Sequence, residues 1–308
     1  MDYCNLIELI NLSYRIGIQH IELHREMIGR VFLLHNEDKR YVLKVYRSNK
    51  TDDALQTVRI LDYLKANSYP VVSIVQTVQD DSHIVLNWQD DNCIGIVYEY
   101  IEGDTPDGKI EAELIGEQIG SLHQLMEKYP DKLINRTKLV YIDDYISIMR
   151  ELDFDSGKVI ELEHYGNKLW ERMQSLPKGF SHGDLHTGNM ITNHSGQYVL
   201  FDFDEASGDY PSMDVAYMSD DTNFNLFHDA AYDRTMRLYE RFYSGYSKIR
   251  TLSDNEFYAV FDFIAIRHYQ IISRIVRCQG LSSISKDFCD EQYNWLIRWK
   301  NLCMKNKN

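Results

Sequence analysis

Apolar and polar positions come in short runs over the first hundred residues and then settle into a longer, helical period. Ile21–Met27, Val31–His35 and Tyr41–Tyr46 are rich in apolar and β-forming residues and read as strands. Ile28-Gly29-Arg30 and Asn36-Glu37-Asp38-Lys39 between them read as turns. Ile84–Trp88 and Ile94–Tyr100 read as a second hairpin joined by the polar stretch Gln89-Asp90-Asp91-Asn92. One helix interrupts the strands. Thr51 is placed to cap it, Asp52 and Asp53 suit its first turn, and Leu55, Val58, Leu61 and Leu64 recur along it with Ile60 alongside.

After Glu102-Gly103-Asp104 the pattern becomes helical. Ile115, Ile119, Leu122 and Met126 recur at helical spacing, and so do Phe257, Phe261, Ile264, His268, Ile271 and Ile275. A compact island, Gly179–Pro211, lies between these helices and contains the strand-like run Tyr198–Phe203. The expectation is a two-region α+β chain: a β-rich region over 1–101 and a mostly helical one over 102–308, with Glu99–Gly103 as connector.

Composition narrows the function. The chain has 308 residues, with 33 Lys plus Arg against 47 Asp plus Glu and a formal net charge of −14. That balance argues against a nucleic-acid partner, which calls for a basic footprint. The five cysteines are odd in number and form no C-x-x-C pair, so a disulfide framework or zinc site is not expected and a reducing compartment fits. The first residues lack a signal-peptide pattern, and no apolar run is long enough to span a membrane. The expectation is a cytoplasmic protein without membrane or nucleic-acid partners.

The island carries the chemistry. It reads Ser181-His182-Gly183-Asp184-Leu185-His186-Thr187-Gly188-Asn189, and after Tyr198-Val199-Leu200-Phe201 comes Asp202-Phe203-Asp204-Glu205. Asp184 and Asn189 stand five apart across a loop with two glycines, and Asp202 ends an apolar strand. Phosphoryl transfer from ATP requires the triphosphate charge to be neutralised, mostly by Mg²⁺. Mg²⁺ takes oxygen ligands, which one carboxylate and one amide can supply, while a second carboxylate accepts or orients the acceptor's hydroxyl proton. The Asp-to-Asn spacing equals that of the protein-kinase catalytic loop.

His182-Gly183-Asp184-x-His186-x-Gly188-Asn189 resembles the signature of the aminoglycoside phosphotransferase superfamily, which includes choline kinase and type II homoserine kinase-like proteins. Asp202-Phe203-Asp204 is similar to that family's metal-binding D-x-D, and Pro211-Ser212-Met213-Asp214-Val215-Ala216 to its P-x-x-D-L-A segment. The resemblance implies a protein-kinase-like two-lobe fold and a phosphotransferase using ATP and Mg²⁺. It implies Asp184 as catalytic base, Asn189 and Asp202 as metal ligands, and Asp214 holding the catalytic loop through backbone hydrogen bonds. Val42-Leu43-Lys44-Val45 resembles the strand with the phosphate-binding lysine, Lys44. Tyr98-Glu99-Tyr100-Ile101 resembles the adenine hinge, implying the Glu99 carbonyl and the Ile101 amide. His123, in Ile119-Gly120-Ser121-Leu122-His123, reads as structural. The helix glutamate that pairs with such a lysine is absent: Thr57 stands at its expected place, with Gln56 beside it and Asp53 a turn earlier. The partner of Lys44 is left open.

The acceptor end is less legible. Asp204, Glu205, Asp209, Asp220, Asp221 and Asp229 cluster after the metal motif, either to receive a cationic acceptor, as the family implies, or as a solvated acidic surface. Arg267, Gln270, Arg274 and Arg277 share one helix face, to bind an anionic group or to balance surface acid. Tyr232, Tyr239, Tyr243 and Tyr246 recur at helical spacing and read as core. The leading expectation is a kinase acting on a small-molecule hydroxyl: aminoglycoside, amino alcohol, sugar or hydroxy amino acid. The alternatives are a protein Ser/Thr kinase of the same superfamily and a non-catalytic binding protein with this fold.

Overall fold

The computed structural model describes residues 2–27, 29–88 and 91–306. Ile28, Gln89 and Asp90, at two of the expected turns, lie outside the described residues. The chain divides into two compact units, Met1–Pro106 with Gly188–Glu205, and Asp107–Thr187 with Ala206–Asn308. Residues 188–205 therefore fold with the β-rich unit, far from it in sequence.

The first unit is built on a five-stranded sheet in the order β1-β2-β3-β5-β4, formed by β1 (His20–Glu26), β2 (Gly29–His35), β3 (Arg40–Tyr46), β4 (Ile84–Trp88) and β5 (Asp91–Glu99). Every pairing is antiparallel. Helix α1 (Tyr3–Tyr14) precedes the sheet, and its Leu6, Ile10 and Tyr14 join Phe32, Leu34, Leu43, Val45 and Val97 in one core. Sequence reading had assigned no element to this segment. Helix α2 (Thr51–Ala66) follows β3, but Thr51 is not its cap. A single turn, Ser48–Lys50, runs directly into the helix, and the Thr51 hydroxyl donates to the Ser48 carbonyl at 3.0 Å instead of accepting from the helix.

Two short strands, β6 (Met190–Thr192) and β7 (Tyr198–Leu200), form a hairpin within this unit. Backbone bonds fasten it. Val72 N donates to Leu200 O at 2.9 Å, Leu200 N to Pro70 O at 3.1 Å, and Thr192 N to Asp104 O at 2.8 Å. These bonds satisfy the edges that so short a hairpin would otherwise leave to water.

The second unit is helical: α3 (Ala112–Met126), α4 (Asp144–Glu151), α5 (Ser156–Gln174), α6 (Pro211–Ser219), α7 (Ala231–Tyr246), α8 (Asp254–Gln279) and α9 (Lys286–Asn306). Helix α8 opens with a reciprocal cap between Ser253 and Glu256. The expected stripe from Phe257 to Ile275 understates its burial, because Ala259–Ile266 are all buried. Helices α4, α5, α6 and α9 pack around it, so no side faces water along its middle. His268 is part of this core, stacked on Trp295 at 4.0 Å, and burial pushes its pKa down to about 3. Tyr232, Tyr239 and Tyr246 are buried, as a core reading requires, and Tyr243 is half-buried. No helix among the described residues is long and apolar enough to cross a membrane.

Candidate active site

Strand alternation sorts side chains to two faces. On β2 and β3, Phe32, Leu34, Leu43 and Val45 enter the core with α1. Val31, Leu33, Val42, Lys44 and Tyr46 face the other way and line a cavity of about 400 Å³ within the first unit. Glu99, Ile101, Asn189 and Asp202 line the same cavity, with Tyr98 and Asp204. Five of the six site residues expected from sequence thus share one concave space. A register irregularity between Leu23 and Arg25 on β1 accompanies His24 and Arg25 at its rim.

Lys44 is the electrostatic centre. Its Nζ lies 2.6 Å from Asp202 Oδ1 and 2.5 Å from Asp204 Oδ2. Burial alone would push the amine's pKa down, but the two carboxylates outweigh it and hold Lys44 above its ordinary value, so it remains an ammonium. Burial pushes Asp204 up, and Lys44 and the Tyr46 hydroxyl only partly offset that. Tyr46 donates to Asp204 Oδ1 at 2.8 Å and shares a hydrogen bond of 3.0 Å with Tyr98. Asp202 sits at φ 62°, the left-handed region, which aspartate tolerates better than most residues but still at a cost of about 1–3 kcal/mol. Phe203, fully buried, holds the turn that follows.

The donor set suits a hard divalent cation. Asn189 and Asp202 are oxygen donors on one cavity wall, tied together by the bond from Phe201 N to Asn189 O at 3.1 Å.

Helix α2 offers Lys44 no carboxylate. Thr57 lines the cavity and is buried, and its hydroxyl has no hydrogen-bond partner among the described residues. Asp53, the alternative a turn earlier, is 3.3 Å from Lys50.

Asp184 belongs to the second unit. Its loop hangs on Asp214, a fully buried carboxylate in the first turn of α6. His182 N donates to Asp214 Oδ2 at 2.6 Å, Gly183 N to Oδ1 at 3.0 Å, and Ser181 Oγ to Oδ1 at 2.9 Å. His123 bridges Asp214 Oδ2 at 3.0 Å and the Tyr246 hydroxyl at 2.8 Å, a structural placement. Burial works to raise the Asp214 pKa, but hydrogen bonding and charge from His123, with His182, hold it below the usual carboxylate range. Gly183 has φ 79°, so glycine is what lets this loop turn without strain.

Around Asp184 the second unit places Arg267 Nη2 at 3.4 Å from Oδ1 and His186 Nε2 at 3.9 Å from Oδ2. The Arg267 guanidinium lies over the Tyr217 ring at 4.0 Å. The basic face of α8 is therefore divided: Arg267 turns to Asp184, Gln270 accepts from Tyr217, and Arg277 clamps Asp144 and Glu151 on α4. A second cavity of about 400 Å³ opens in this unit, lined by Asp107, His186, Thr187, Tyr217 and Asp220. The acids of this unit that cluster in sequence, Asp209, Asp220, Asp221 and Asp229, do not share partners. Asp209 is buried under Tyr141 and the Arg136 amide, Asp221 pairs with Lys109, and Asp229 pairs with Arg298. Asp220 alone of the four lines this second cavity; burial raises its pKa, against its bonds to Thr222.

Sequence reasoning assigns Tyr46, Tyr98 and Arg25 to no site, and it places Arg267 on a basic helix face without connecting it to Asp184. The signal for Tyr46 was its parity with Lys44 on β3; the pairing of Arg267 with Asp184, distant in sequence, left no local trace.

The description "Phosphotransferase enzyme family" fits the family model that matches residues 20–252. Among solved structures, an amicoumacin kinase in complex with AMP-PNP, Ca²⁺ and Ami superposes with a TM-score of 0.77 at 19% identity, covering 99% of this chain and 94% of that one. A microcompartment-associated aminopropanol kinase gives 0.74 at 14% identity, with 99% and 97% covered. The choline kinase LicA from Streptococcus pneumoniae gives 0.66 at 17% identity, with 98% of each chain covered. At these identities the likeness is one of fold, the kinase-like α+β class.

Proposed function

This chain belongs to the phosphotransferase enzyme family, and from that premise we propose that it moves the γ-phosphoryl group of ATP to a hydroxyl of a small molecule in a Mg²⁺-dependent reaction. The observation that carries the reading is the first-unit cavity, where Lys44, Glu99, Ile101, Asn189 and Asp202 meet. Residues 1–101 serve as the nucleotide-binding lobe, supplemented by the hairpin that carries Asn189 and Asp202. Residues 102–308 supply the rest: the catalytic loop, the acceptor pocket and, through that hairpin, the metal ligands.

Each residue then has a role. The Glu99 carbonyl and Ile101 amide receive the adenine edge. Lys44, kept as an ammonium, lies on the α- and β-phosphates. Asn189 and Asp202 would hold the divalent ion, which supplies charge neutralisation to the triphosphate. Asp184 accepts the acceptor's hydroxyl proton or orients that hydroxyl, with Arg267 and His186 restraining its two oxygens. Asp107 and Asp220 line the second cavity with Lys109, whose ammonium is paired with Asp221, and the two carboxylates would suit an acceptor that also carries positive charge. Two of the similar structures are named for amino alcohols, aminopropanol and choline, which have this chemistry.

An ATP-consumption screen over amino alcohols, aminoglycosides, sugars and hydroxy amino acids tests the reading. The expected result is acceptor-dependent consumption, with Asp184→Ala lowering kcat by about 10²–10⁴ and leaving nucleotide affinity unchanged. Full activity in Asp184→Ala would remove that residue from the chemistry. Label transferred from ATP into protein rather than into small molecules would favour a protein kinase instead.

A further inference from the structure

We infer that Asp204 is the positioning carboxylate of Lys44, taking the part that a helix glutamate plays in other kinases. This rests on the reading of the first-unit cavity as the nucleotide site. A lysine that touches phosphates needs a fixed partner, because its four-carbon stem otherwise spreads the ammonium over many rotamers. Kinases generally supply that partner from the helix after the lysine strand. Here the helix supplies Thr57, whose buried hydroxyl has no hydrogen-bond partner among the described residues.

Asp204 fits the vacancy in three ways. Its Oδ2 is 2.5 Å from Lys44 Nζ. Its Oδ1 accepts from the Tyr46 hydroxyl at 2.8 Å, and Tyr46 is itself locked to Tyr98, so the carboxylate cannot rotate away without breaking a buried bond. Phe203, fully buried beside it, fixes the turn from which it projects. Asp53 on α2 is held elsewhere, since Lys50 lies 3.3 Å from it and 3.7 Å from Glu205. The lysine is therefore set by the same turn that carries Asp202, two residues away, and not by helix α2. Lysine and metal ligand are placed as one piece.

The test is calorimetric binding of ADP to the full chain, with EDTA and separately with Mg²⁺. Without a divalent ion, Asp204→Asn is expected to weaken ADP binding about tenfold, by loosening Lys44. In a Lys44→Met background the same change should alter affinity less than about twofold, because the anchor has nothing left to hold. Asp204→Asn/Thr57→Glu should return to within about threefold of the wild type, since the carboxylate is restored from the helix. Tyr46→Phe, which keeps the charge and the ring, should give a smaller loss in the same direction, again absent in Lys44→Met. That variant carries the test if Asp204→Asn does not fold. Unchanged or tighter metal-free binding in Asp204→Asn or Tyr46→Phe overturns the inference, as Asp204 would then compete with phosphate. A loss seen only with Mg²⁺ makes Asp204 a metal ligand and also overturns it. Failure of the wild type to bind nucleotide under either condition would instead sink the nucleotide-site reading, and the inference with it.

Discussion

Asp214 shows how one buried carboxylate organises a loop, the one that carries Asp184. It is fully buried and receives two backbone amides, the Ser181 hydroxyl and His123. Burying a charge is costly unless such donors surround it, and removing it leaves them stranded. Asp214→Ala is expected to lower stability by about 3–5 kcal/mol in urea unfolding at neutral pH. Its pH dependence has a definite sign. The folded-state pKa is depressed, so Asp214's contribution is fully present above the ordinary carboxylate value of 3.8 and is lost as pH falls through the folded value. The wild type should therefore lose stability below about pH 4, and Asp214→Asn should show a shallower acid limb. An equally steep limb in the variant would assign the acid sensitivity to other groups.

Between elements, α3 and α7 approach each other backbone to backbone. Gly116 and Gly245 face each other's helices so tightly that a methyl at Gly116 would collide with the Phe242 carbonyl, and one at Gly245 with the Glu113 carbonyl. Backbone cannot step aside as a flexible side chain can, so the helices must separate. Gly116→Ala should lower Tm by several degrees, consistent with an overpacking cost of about 1–3 kcal/mol. Alanine is intrinsically the better helix former, so an unchanged or raised Tm would mean that the two helices slide freely. The same element-level logic explains the sheet. One strand serves two tasks because adjacent residues point apart: Leu43 belongs to the core and Lys44 to the cavity.

For the whole molecule, a ligand that binds only the folded chain raises its stability by mass action. ATP with Mg²⁺ at a hundredfold excess over Kd should add about 2.7 kcal/mol, visible as a concentration-dependent rise in Tm. Lys44→Met should reduce the rise at a fixed nucleotide concentration. Persistence of the full shift in that variant would place the nucleotide outside the first-unit cavity. Three of the acids that cluster in sequence, Asp209, Asp221 and Asp229, each have a separate partner. Their clustering in sequence thus did not mark a single site.

Local pattern was enough for the five strands and for α2, α3, α7 and α8, because strand and helix periods are written in neighbouring residues, but α5 and α9 were not read from it. The island motif was equally legible: a loop of glycines, aspartates and an asparagine at fixed spacing is a local arrangement. Helix α1 escaped notice because its three buried positions, Leu6, Ile10 and Tyr14, gain meaning only once the sheet they cover exists. Thr51 was misread as a cap because a preceding turn, invisible to pattern, already led into the helix. The partner of Lys44 could not be found along the chain at all. Its carboxylate lies 160 positions away by number, on a turn that follows a hairpin fastened by backbone bonds to Pro70, Val72 and Asp104. Ion pairs join whatever folding brings within a few ångströms, and sequence distance does not enter that energy.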